Sequence, residues 1–169
     1  YFKRAQHHED GGDAWNGSGG PLHVTRSPPG FPLQKAFVQA AAQAGYPVTR
    51  DFNGRQQEGA GPYHLTVKNG QRCSSSAAYL HPIVGARPNL TIISGAHAHR
   101  VLVERGAAVG VEYSAGRGKP VATIAAKREV LICAGALQSP QILLLSGIGP
   151  AHALRKLDIP IVLDAPEVG

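Results

Sequence analysis

The segment from Gly135 to Gly149, GALQSPQILLLSGIG, constrains this chain more than any other. It follows Val130–Cys133, a continuously apolar stretch of the kind required by a strand covered on both faces. The small residues Ala134-Gly135-Ala136 come next. Ser139-Pro140 then suits an N-cap and a first helical position. Ile142–Leu145 is wholly apolar, and Gly147-Ile148-Gly149 stops the helix. A buried strand, a small-residue turn and an apolar helix form a crossover, which places the chain in the α/β class with added α+β elements. Small residues at such a turn let a phosphate or ribose approach the main chain, and helix amides favour anions. The same residues also serve a tight crossover that needs them only for packing, so the unit alone supports both readings.

The surrounding pattern extends this architecture. Val101–Glu104, Val109–Tyr113 and Val121–Ala126 are separated by Gly106 and by Gly116-Arg117-Gly118-Lys119-Pro120, which predicts an antiparallel meander. Thr91–Ile93 predicts another strand, Pro150 a short helix and Ile159–Leu163 a last strand. Nearer the N-terminus, Tyr1–Ala5 reads as helix and Leu22–Thr25 as a short strand broken by Ser27-Pro28-Pro29-Gly30. Leu33, Phe37, Ala40, Ala41 and Ala44 share one helical face, with Pro32 in the first turn and Gly45 at the exit. Tyr63, Leu65 and Val67 alternate as a half-buried strand, and Ser74–Ser76 suit a turn or the cap of a short helix at Ala77–Leu80. The texture changes near residue 88, which predicts two parts, 1–88 and 89–169.

Composition excludes several classes. The net charge is +6, but the basic residues are scattered and form no stripe, which argues against a nucleic-acid groove. The apolar stretch from Val130 to Gly149 is interrupted by Gln138, Ser139, Pro140 and Gln141, so no transmembrane segment is expected. Cys73 and Cys133 give neither a disulfide framework nor a metal set. Cys133 is expected to be a buried free thiol, which suits a reducing, cytoplasmic setting. His97 and His99 lie on one strand face but have no third ligand at suitable spacing, even counting His7-His8, and read as exposed strand residues rather than metal ligands. No Met occurs, and the chain is expected to be an internal piece of a longer protein.

The run Gly135–Gly149 is similar throughout to the second signature of the glucose-methanol-choline (GMC) flavin oxidoreductases: a small pair, Ser-Pro, two aliphatics, then Ser-Gly-aliphatic-Gly. Further stretches resemble the same family in order and spacing. These include Tyr1–Ala5, Gly19–Val24, Phe37–Tyr46, Asp51–Gly54, Gln57–Gly61, Asn69–Ser74, Arg87–Thr91, Val109–Tyr113 and Lys127–Val130, and Leu157–Pro160 with Pro166–Gly169. The chain looks closest to the choline-dehydrogenase-like branch.

That resemblance implies an FAD-dependent enzyme that oxidises a CH–OH donor, choline or another small alcohol, by hydride transfer to flavin. It implies the middle of a Rossmann-like FAD lobe carrying the antiparallel meander in 89–169, and part of a substrate-lobe sheet in 1–88. It places Ala98, Ala134 and Gly135 where the family's backbone runs beside the adenosine part of FAD, and Tyr63 on the substrate side. No G-x-G-x-x-G occurs, and no histidine of the eight matches the family's catalytic one, so the piece alone is expected to be inactive. Val130–Cys133 and Thr91–Ile93 are expected to leave open edges that invite self-association. The alternative is a non-catalytic nucleotide- or partner-binding α/β module.

Overall fold

The computed structural model describes residues 1–28, 30–116 and 118–169. Pro29 of the expected strand break and Arg117 of the expected turn lie outside the described residues. The chain forms a mixed α/β structure in two compact units, Tyr1–Leu90 and Thr91–Gly169.

The first unit opens with the short helix α1 (Phe2–Ala5), which passes directly into β1 (Gln6–His8). β1 pairs in parallel with β2 (Leu22–Val24), with His7 opposite His23 and His8 opposite Val24. The intervening loop folds back: Gly17 O accepts from His8 N–H, and Lys3 Nζ donates to Asp13 O at 2.6 Å. Thr25 makes an isolated antiparallel bridge to Leu65. The expected strand through Tyr63–Val67 is therefore reduced to that bridge and the two-residue β3 (Val67–Lys68), which pairs with β4 (Gln71–Arg72) around the Asn69-Gly70 turn. A π-helical turn follows at Ser76–Leu80, and Ser74 Oγ accepts from Ala77 N–H at 3.1 Å, the capping role its position suggests.

The helix α2 (Pro32–Gln43) forms where the apolar spacing requires it and ends at Gly45. Its apolar face differs from expectation in one respect. No residue of the helix is buried, with Leu33 at 81% and Phe37 at 70% exposure, because no described element packs across that face.

The second unit is built on β5 (His97–Glu104), β6 (Ala107–Ser114) and β7 (Val121–Ala125), an antiparallel sheet in that order. Arg100 grips Glu112 across β5 and β6 through two hydrogen bonds of 3.0 and 3.2 Å. After it come α3 (Gly135–Leu145), β8 (Ile148–Gly149), α4 (Ala151–Lys156) and β9 (Leu163–Asp164), the last pairing in parallel with β8. Helix α3 packs on β5. Among the described residues Leu154 of α4, 1% exposed, is the largest fully buried side chain, with Ala151 and Val101 also buried. The Gly-Ile-Gly stop has a steric cause. At Gly147 φ is +81°, and a Cβ there would meet Pro160 O, while one at Gly149 would run into Leu144.

Three expectations are corrected here. Val130–Cys133 is not a strand. Among the described residues nothing pairs with it, so Leu131 is 76% exposed and Cys133 is an exposed free thiol rather than a buried one. Thr91–Ile93 likewise lies outside any strand, and the sheet edges are β5 and the fully exposed β7. Helix α3 begins one turn early, at Gly135, and contains Pro140 in its interior. Ser139 reaches back so that its Oγ accepts from Ala134 N–H at 3.1 Å.

One hydroxyl joins sheet and helix. Ser146 Oγ accepts from the buried Val101 N–H at 2.8 Å and donates to Ile142 O at 2.6 Å. A buried donor left without a partner costs about 1–3 kcal/mol. Ser146→Ala is expected to destabilise the protein by about that amount, read as a lowered urea midpoint at unchanged m-value.

Candidate functional site

Two features of the second unit bear on nucleotide binding. Ala98 lies on β5 opposite Tyr113, exposed, next to a register shift between Ala98 and Arg100. Its neighbours His97 and His99 sit on one side with ring centroids 5.0 Å apart, and His99 Nε2 is 3.1 Å from Ser114 Oγ. Ala134 and Gly135 form the other feature, the entry to α3. Gly135 has φ of +86°, and nothing lies within 4 Å of where a Cβ would stand, so the backbone is open to a ligand. The packing of α3 on β5 is what relates these two features. Among the described residues, no group of three or more His, Cys, Asp or Glu is arranged to hold a metal ion, and no helix is long and apolar enough to cross a membrane.

Tyr63 belongs to the first unit. It stacks on Phe52 with centroids 4.7 Å apart and rings inclined by 26°, yet remains 69% exposed. The two rings, with Phe37, Ala41, Tyr46 and the Gly59–Gly61 loop, line an apolar groove of about 680 Å³. A small-molecule site commonly has this character, a concave apolar surface with few polar groups.

The same unit holds a polar cluster that sequence reasoning missed. His8, 4% exposed, places Nε2 3.2 Å from His64 Nδ1. His64 Nδ1 lies 3.7 Å from Asp51 Oδ1, and Asp51 Oδ2 accepts from Asn16 Nδ2 at 2.7 Å. Asn16 Oδ1 in turn accepts from Gln6 Nε2 at 2.9 Å. The group borders a cavity of about 390 Å³ that Asp10, Arg26 and Arg50 also line. Burial works to raise the Asp51 carboxyl. The hydrogen bonds from Asn16 and from Asn53 N–H, with the imidazoles of His64 and His8 nearby, nevertheless hold it below the ordinary carboxylate value. No local spacing signals a cluster whose members are 35 and 56 residues apart in sequence. Only the alternation of a strand, which turns His8 away from His7, hints that His8 points inward.

Comparison with known proteins gives one consistent result. The family model for GMC oxidoreductase matches residues 1–169. Mitochondrial choline dehydrogenase of Mus musculus is 50% identical over 169 residues, which is all of this chain and 28% of the relative. An oxygen-dependent choline dehydrogenase of Brucella ovis is 47% identical over the whole chain and 30% of its own length. Among solved structures, pyridoxine 4-oxidase from Mesorbium loti superposes with a TM-score of 0.83 at 35% identity, covering 98% of this chain and 32% of that one. An FAD-dependent oxidoreductase from Chaetomium thermophilum gives 0.81 at 25% identity, covering 98% and 31%. The chain thus spans under a third of the length of these relatives.

The Asp51 geometry has a pH consequence. A carboxyl held lower in the folded than in the unfolded chain adds stability that is full above the unfolded value, ~3.9, and lost as pH falls through the folded one. Asp51→Asn is expected to flatten the acid limb of stability below about pH 4, measured as urea midpoints along a pH series.

Proposed function

Because the chain belongs to the GMC oxidoreductase family, we propose that it forms part of an FAD-dependent enzyme that oxidises the CH–OH group of choline or another small alcohol. The observation that carries this reading is the match along all 169 residues to choline dehydrogenases at about half identity. In this reading 1–88 contributes to the substrate lobe and 89–169 to the FAD lobe.

The residues present fit the cofactor. Gly135 leaves its backbone open, and Ala98 offers a small exposed side chain on a strand against which α3 packs. In this proposal the main chain at Ala98, Ala134 and Gly135 borders the adenosine part of FAD, and small side chains keep that approach clear. FAD, when bound, supplies the acceptor for a hydride leaving the alcohol carbon. Tyr63 and its apolar groove face the substrate side, where an aromatic surface suits a quaternary ammonium or an aliphatic alcohol. No histidine here is assigned the acid–base role. The scattered, unpaired cysteines suit a reducing compartment such as the cytoplasm.

The test uses the full-length protein. Bound flavin absorbing near ~450 nm that bleaches on addition of choline or a simple alcohol is the expected result. A folded full-length protein that neither holds nor takes up FAD would leave a binding module in its place. Gly135→Val puts a β-branched side chain at positive φ beside the cofactor. It is expected to weaken FAD retention by about tenfold or more, about 1.4 kcal/mol, read as flavin released on dilution.

A further inference from the structure

The geometry around His8 selects the tautomer of its neutral ring. Asp10 N–H donates to His8 Nδ1 at 3.2 Å, so that nitrogen carries no proton. Neutral His8 therefore bears its hydrogen on Nε2 and donates it to His64 Nδ1, 3.2 Å away. His64 Nδ1 is then an acceptor, and its own hydrogen sits on Nε2. Two ring nitrogens face a carboxylate: His8 Nδ1 lies 3.6 Å from Asp10 Oδ2 but already accepts the Asp10 N–H, and that carboxylate oxygen is held by Arg26, so the nitrogen a further proton reaches without displacing a backbone donor is His64 Nδ1. That atom already faces a second partner, Asp51 Oδ1 at 3.7 Å.

The charged groups around the pair point the same way. Asp10, in the turn after β1, is committed to Arg26 Nε at 2.6 Å, and Asp13 is committed to the N–H groups of Trp15 and Asn16. Arg26 and Arg50 line the cavity, but among the described residues the only cationic side chain within ion-pair distance of Asp51 is His64. On the opposite face of the β1–β2 ribbon, His7 and His23 lie 4.5 Å apart, with Gly19 N–H on His7 Nδ1 at 3.0 Å. Burial, then Lys68 and His7, lowers the His23 imidazole below its ordinary value, so that ring resists charging.

We propose that His8 and His64 form a proton-operated latch on the first unit. In the neutral state His8 Nε2–H ties β1 to the segment that leads into the Leu65 bridge. A proton taken up at His64 Nδ1 turns that ring from His8 to the Asp51 carboxylate. The buried His8 Nε2–H then loses its acceptor, and β1 is released from His64. The loop that carries Asp51 gains an ion pair while the ribbon loses a tie, so one proton redistributes the unit's restraints.

The experiment follows the ring nitrogens of the intact protein, labelled in histidine, by NMR between about pH 7.5 and about pH 5.5, the span in which imidazoles ordinarily titrate. The expected result is that both rings carry hydrogen on Nε2 at the upper end, and that charging of His64 coincides with loss of the His8–His64 hydrogen bond. Asp51→Asn removes the receiving charge and is expected to leave the His8–His64 hydrogen bond in place to lower pH than in the wild type. His64→Gln keeps an acceptor for His8 but takes no proton, and is expected to hold the His8 Nε2–H hydrogen bond unchanged across this range. A charged His64 that still holds His8, or a His64→Gln protein with the wild-type pH profile, overturns the latch. If His64→Gln does not fold, the wild-type ring signals decide alone.

Discussion

The Ser146 hydroxyl is the contact on which the second unit depends. It sits at the last turn of α3, 7% exposed, and takes up the N–H of Val101 in the middle of β5. A helix packed on a sheet by apolar side chains alone can slide, because hydrophobic contact is non-directional. A buried hydrogen bond of 2.8 Å fixes the register instead. Ala98 is three residues before Val101 on that strand, and Ala134-Gly135 stands at the far end of the helix. The distance between the two proposed cofactor contacts is therefore set by a residue that touches neither. Gly147 and Gly149 directly after Ser146 serve the same purpose, because they let β8 turn back under α3 where any Cβ would collide.

The sequence made part of this legible. The meander emerged because Val and Ile alternate between glycines, a local signal that needs no distant partner. The apolar helix emerged for the same reason, although its start moved from Ser139 to Gly135. Gly135 takes a positive φ that lets the backbone turn into helix at once, and Ser139 caps by reaching back. What failed was pairing. Val130–Cys133 has strand composition, but a strand exists only where neighbours satisfy its backbone, and composition cannot supply them. The His8–Asp51–His64 cluster failed for a related reason. It is assembled by the β1–β2 ribbon and the Thr25–Leu65 bridge, contacts between segments that carry no shared local pattern.

The two units hold themselves together differently. The second buries Leu154, Ala151 and Val101, while among the described residues of the first the buried apolar ones are Ala60, Cys73 and Ala78. Its other buried groups are polar: His8, Asn16 and Thr49. Thr49 Oγ1 donates within hydrogen-bond reach of both Asp51 O and Gln56 O, and Asn16 links Gln6 to Asp51. Such a network is specific because every member has its partner, and it is sensitive for the same reason, since loss of one partner strands another in low dielectric.

That construction explains how the first unit keeps a shaped apolar groove exposed. Were Phe37, Tyr46 and Tyr63 the source of its cohesion, they would be buried against one another and no groove would remain. They are 65–70% exposed because the loops behind them are held by hydrogen bonds instead. Asp51 is the junction. It anchors Asn16 on one side and Asn53 N–H on the other, next to Phe52, on which Tyr63 stacks. His64 follows Tyr63 directly, so any shift of His64 between His8 and Asp51 acts on the residue that forms the groove wall. The polar interior and the apolar surface are thus two sides of the same short segment, Pro62–Leu65, and the charge state of one side bears on the shape of the other.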